Sequence, residues 1–137
     1  MRWKMPNGKE VTHKDSQYRI DFNKKAPSKL AQIFKDWIKE NAPHYIWYDE
    51  YRLPGGLLRV DFLCSSKRVC FEINGEQHTK FVPFFHGSRN ALKDQIKRDI
   101  QKIKFLEDNN FRVIELEEKD LKQLSREYLK KNFNVIF

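Results

Sequence analysis

Arg59-Val60-Asp61-Phe62, followed by Cys70-Phe71-Glu72-Ile73-Asn74-Gly75-Glu76-Gln77-His78, is the stretch from which the rest of the chain is read. Both pieces alternate apolar and polar residues as strands do. Side chains alternate across a strand, so Glu72 and Asn74 share one face, and Phe71 and Ile73 take the other. If Val60 and Phe62 face the same core as Phe71 and Ile73, then Arg59 and Asp61 join Glu72 and Asn74. The four-residue link Ser65-Ser66-Lys67-Arg68 then sets Asp61 opposite Glu72. Opposed carboxylates destabilise a sheet unless something offsets their repulsion, and a divalent cation does so. Magnesium takes oxygen ligands, commonly one or two carboxylates plus water and phosphate. Such an ion polarises a phosphoryl oxygen and acidifies a bound water. Asn74 falls beside the reacting phosphate as a neutral donor, and Gly75 lets the backbone approach a bulky ligand. The plainer alternative pairs Asp61 and Glu72 with Arg59 or Arg68 on a solvated sheet face.

On either side the chain reads as helices and strands. Ser28 is an N-cap signal that opens a helix running to about Asn41. Leu30, Ile33, Phe34, Trp37 and Ile38 make its apolar face, and Pro43 stops it. Tyr45 to Leu53 is a strand, turned by Pro54-Gly55-Gly56. With the two strands above it forms an antiparallel meander. An irregular aromatic stretch, Thr79 to Ser88, separates this from a long helix over roughly Asn90 to Asn109. Ala91, Leu92, Ile96, Ile100, Ile103 and Leu106 make the apolar face of that helix. Phe111 to Leu116 is a further strand, and a last helix covers about Lys119 to Lys131. The order predicts an α/β fold: a mixed sheet with helices on its faces. Residues 1–27 read as a basic, loosely ordered N-terminal arm, and residues 28–137 as a single domain.

Composition sets the outer limits. A chain of 137 residues has room for one core and not two, and eleven Phe, five Tyr and three Trp supply the material for it. A formal charge of +8 favours a polyanionic partner, because neutralised phosphates release condensed counterions. Nucleic acid is the leading polyanion and an acidic membrane surface its competitor. No apolar run approaches the ~20 residues that span a bilayer, and the first residues lack a signal-peptide core. The expectation is a soluble, cytoplasmic protein. Cys64 and Cys70 read as buried free thiols, and the scattered histidines argue against a structural zinc site.

An Asp on one hairpin strand, followed by a Glu-x-Lys-like triplet on the next, resembles the PD-(D/E)XK nuclease superfamily. The stretch Glu72-Ile73-Asn74-Gly75-Glu76-Gln77-His78, then a helix with Arg98-Asp99 and the strand Phe111-Arg112-Val113-Ile114, is most similar to very-short-patch-repair-like endonucleases and related small phage homing endonucleases. The resemblance covers roughly residues 28–118. It implies a restriction-endonuclease-like core, α-β-β-β-α-β, followed here by a C-terminal helix. It also implies Mg²⁺-dependent cleavage of double-stranded DNA, with Mn²⁺ as substitute and Asp61 and Glu72 as metal ligands. Asn74 stands where the family carries Lys and cannot activate water by charge. His78 then serves as general base, and Gln77 orients a water or a phosphate oxygen. The family often adds a carboxylate from its first helix, where this chain offers Gln32 and Glu40. Duplex cleavage by so small a protein suggests a homodimer or higher oligomer. The alternatives are a non-catalytic nucleic-acid-binding module and an RNA-processing nuclease of the same fold.

Overall fold

The computed structural model describes residues 1–56, 58–74 and 89–137. In chain order the elements are β1 (Arg2–Lys4), β2 (Glu10–Thr12), α1 (Lys29–Asn41), β3 (Trp47–Arg52), β4 (Arg59–Cys64), β5 (Val69–Asn74), α2 (Arg89–Asp108), β6 (Arg112–Glu117), α3 (Glu118–Leu121) and α4 (Arg126–Phe133). Strands β3 to β6 form one mixed sheet in the order β3-β4-β5-β6. The first three make the expected antiparallel meander, and β6 joins β5 in parallel. That last step needs a crossover long enough to reverse the chain, and α2 lies within it.

In place of the one core expected from the chain length, two smaller hydrophobic clusters sit on the two faces of this sheet, because a sheet covered on both sides divides its apolar residues between them. Phe62, Cys64, Val69, Phe71, Ile114 and Leu116 pack under α1 with Phe34 and Ile38, and α3 and α4 add Leu121 and Leu129. Phe34 is fully buried, with its ring 4.8 Å from that of Phe71 and 5.0 Å from that of Phe62. On the other face Val60, Leu63, Cys70 and Phe111 gather with Leu106 from the end of α2. Cys64 and Cys70 therefore lie on opposite sides of the sheet, both as free buried thiols. Burial pushes both thiols up from their ordinary pKa.

Helix α1 begins where Ser28 predicts, with the Ser28 Oγ accepting from the Ala31 amide at 3.1 Å. Its face is rotated from the expected one. Ile33 is exposed, whereas Lys35 is 2% exposed, held by Asp49 at 3.0 Å and by the Lys24 carbonyl at 2.8 Å. A buried lysine is tolerated because both partners satisfy it. The expected last helix is two helices. The chain breaks after Leu121, and the Ser125 Oγ caps a fresh start by accepting from the Tyr128 amide.

The N-terminal segment is not the loose arm expected. β1 and β2 pair as a hairpin, and Trp3 is buried in the second core. Its ring stacks on Phe105 at 5.5 Å and on Phe111 at 5.3 Å, and its indole N–H donates to the Tyr51 hydroxyl at 3.1 Å. Asn109 fastens the hairpin to the end of α2, accepting from the Lys4 amide at 2.7 Å and donating to the Lys4 carbonyl at 3.1 Å.

Candidate active site

The β4–β5 pairing runs in register from Cys64 opposite Val69 to Phe62 opposite Phe71. Past that point side chains take over from backbone. The Ile73 amide donates to the Asp61 Oδ2 at 2.8 Å, and the Asp61 amide donates to the Glu72 Oε2 at 3.3 Å. Asp61 and Glu72 thus converge at the place where the two strands stop exchanging their own hydrogen bonds.

Strict alternation does not account for the whole of this. Val60 belongs to the core of Leu63 and Cys70, not to that of Phe62. The cause lies on the neighbouring strand. Glu50 has φ +46°, a left-handed conformation that costs a residue with a Cβ about 1–2 kcal/mol. The β3–β4 register carries Asp49 opposite Phe62 and Tyr51 opposite Val60, so the kink falls at the level of Asp61. Asp61 keeps the parity of Leu63 and stays on the α2 side of the sheet.

Helix α2 closes over the pair. Gln95, Arg98, Asp99 and Lys102, spaced as one helical stripe, line a cleft of about 430 Å³ whose floor carries Asp61, Glu72 and Asn74. The Lys102 ammonium donates to the Glu72 Oε1. Both side chains are largely buried, 18% exposed for Lys102 and 12% for Glu72. Burial, with the neighbouring Asp61 charge, pushes the Glu72 carboxyl up to about 7, and Lys102 offsets only part of that rise. The arginines considered in the plainer reading are used elsewhere. Arg59 pairs with Glu50 at 3.0 Å, and Arg68 lies over the Phe111 ring at 4.0 Å while donating to the Asn109 carbonyl.

Of the residues expected at the site, Asp61, Glu72 and Asn74 share this cleft. Gln77 and His78 lie outside the described residues, as does the aromatic stretch from Phe81 to Phe85. Gln32 is engaged on the other side of the sheet by the Ala26 amide and by Asp36, and Glu40 sits on the same helix, α1. Lys102 and Glu115 were not anticipated. Glu115 is paired in register with Glu72 on β6 and lines the same cleft.

The donor set fits a hard divalent ion. Two carboxylates with free lone pairs face one cleft, and their mutual repulsion is what such an ion relieves. Among the described residues no group of three or more His, Cys, Asp or Glu side chains converges as a metal cage, so water and substrate oxygens would complete the shell. An ion held by Asp61 and Glu72 would supply Lewis acidity toward a phosphoryl oxygen. For such an ion the chain's own part would be to hold the two carboxylates on neighbouring strands, with Asn74 beside them as a neutral donor and Arg98 and Lys102 on the opposite wall.

Among the described residues no helix is long and apolar enough to cross a membrane. No family model matches the chain, and no solved structure matches it. The chain is 37% identical over 59 residues to "Uncharacterized protein 307L" of Invertebrate iridescent virus 6, a match covering 43% of this chain and 30% of that protein's length.

Proposed function

We propose that the chain is a metal-dependent endonuclease that hydrolyses phosphodiester bonds in double-stranded DNA, built on a restriction-endonuclease-like core. The observation that carries this reading is the convergence of Asp61 and Glu72 in a cleft walled by basic α2. The order of elements supports it: α1 covers one face of a three-strand meander, and α2 crosses over to a parallel fourth strand. The net charge of +8 supports a polyanionic substrate. In this reading Asp61 and Glu72 would hold Mg²⁺, with Mn²⁺ as substitute, and the ion would supply Lewis acidity toward the phosphate and its attacking water. Gln77 orients that water for in-line attack on phosphorus, and His78 takes its proton. In this reading the protein works in the cytoplasm, that of a host cell if it is phage-encoded, in a homing-type role, and cleavage of both strands would call for a homodimer or higher oligomer.

A plasmid-nicking assay with Mg²⁺ tests this. Asp61→Ala and Glu72→Ala abolish cleavage, EDTA stops the wild type, and Mg²⁺ or Mn²⁺ restores it. DNA binding by both variants stays near wild type in a filter or mobility-shift assay. Full cleavage by either variant, or cleavage in EDTA, removes the proposed site. The rival reading, a non-catalytic nucleic-acid-binding module, is favoured by Asn74 at the position where the family carries a cation. It predicts DNA binding without nicking under every metal condition.

A further inference from the structure

The positive charge that faces the carboxylate pair comes from the chain itself. Among the described residues, Lys102 with Glu72 is the one ion pair that either Asp61 or Glu72 makes. Lys102 reaches the pair from a helix rather than from the sheet, on four methylenes that can swing. The cleft of about 430 Å³ leaves the ammonium somewhere to go. A lysine ammonium is a compact point charge, and among the described residues it pairs with Glu72 and not with Asp61. One unit of positive charge leaves the other carboxylate uncompensated, whereas a divalent ion accepts oxygens from both.

We propose that Lys102 is a tethered counter-ion that a divalent metal must displace, so that this side chain sets the metal concentration at which the site fills. The inference rests on the metal-site reading above. The exchange starts from the ionised pair: the hydrated cation trades bound water for oxygens of Asp61 and Glu72, the water goes to solvent, and the released Lys102 ammonium is hydrated in the cleft. From that ionised state only coordination and hydrogen bonds change. Displaced, the ammonium stays on the wall of the cleft beside Arg98, where an incoming phosphate would meet it.

Titration calorimetry with Mn²⁺ and no DNA tests this on wild type, Lys102→Met and Lys102→Arg. Lys102→Met binds Mn²⁺ about tenfold more tightly, the scale of one charged hydrogen bond lost by the competitor. Lys102→Arg keeps a cation at the pair and does not tighten binding. In EDTA the melting temperature of Lys102→Met falls, because the pair loses its counter-ion, and saturating Mn²⁺ more than recovers the loss. If Lys102→Met does not fold, Lys102→Gln keeps a donor to Glu72 without the charge and carries the same expectation. Equal or weaker Mn²⁺ binding in a folded Met or Gln variant overturns the proposal and leaves the metal site standing. Absence of Mn²⁺ binding in wild type and neutral variants alike overturns the metal site itself.

Discussion

The burial of Glu72 beside Asp61 has a consequence for stability. Its carboxyl is raised from an ordinary 4.5 to about 7 by burial and by Asp61. Between those values the folded protein holds a proton there that the unfolded chain has given up, so stability falls as pH rises through that window. The charged groups that share its cleft are Arg59, Asp61, Arg98, Asp99, Lys102 and Glu115. Denaturant midpoints in EDTA should decline from pH 4.5 to 7, and Glu72→Gln should flatten that slope; an equal slope in both proteins rules the assignment out. Asp61 and Glu72 were legible in the sequence because period-two alternation and a four-residue link leave little choice of partner. Lys102 was not, since it lies 30 positions from Glu72 and looked like one more lysine in a charged helix. The stripe Gln95, Arg98, Asp99, Lys102 was the available signal. Val60 was misassigned because a kink at Glu50, on another strand, resets the faces.

Helices show the same division between local and distant causes. The start of α1 was legible to the residue, because an N-cap serine acts on amides within its own first turn. Its buried face was not, because Lys35 goes inward only when Asp49 arrives from β3. α2 departs further. Its isoleucines repeat at helical spacing, yet Ile96 is 49% exposed and Ile100 61%, while Leu106 near the other end is fully buried. The helix is anchored through its last turns by Leu106 and Asn109, and Ile96 and Ile100 in its middle are exposed. Native-state amide exchange should therefore be slower around Leu106 than around Ile96 and Ile100. Uniform protection from end to end would mean that the whole helix is docked.

The sheet order and its flanking helices followed from the succession of elements, since short links favour antiparallel neighbours and a helical crossover favours a parallel one. The hairpin β1–β2 could not be foreseen: three residues per strand are too few for a periodicity, and its anchor, Trp3, finds partners only in the folded molecule. Trp3→Ala should cost about 3–5 kcal/mol of unfolding free energy, as for a large buried aromatic, read from urea midpoints. A loss under about 0.5 kcal/mol would mean that the hairpin is an appendage rather than part of the second core.

The position of Trp3 also bears on how the molecule is made. Its stacking partners Phe105 and Phe111 are synthesised about a hundred residues later, which at ~5–20 residues per second is roughly 5–20 s on the ribosome. Through that interval the indole has no native shelter, and the nascent chain offers it to solvent or to a chaperone. Trp3 thus settles only after partners about a hundred residues downstream have been made, and translation speed bears directly on how long the growing chain stays adhesive.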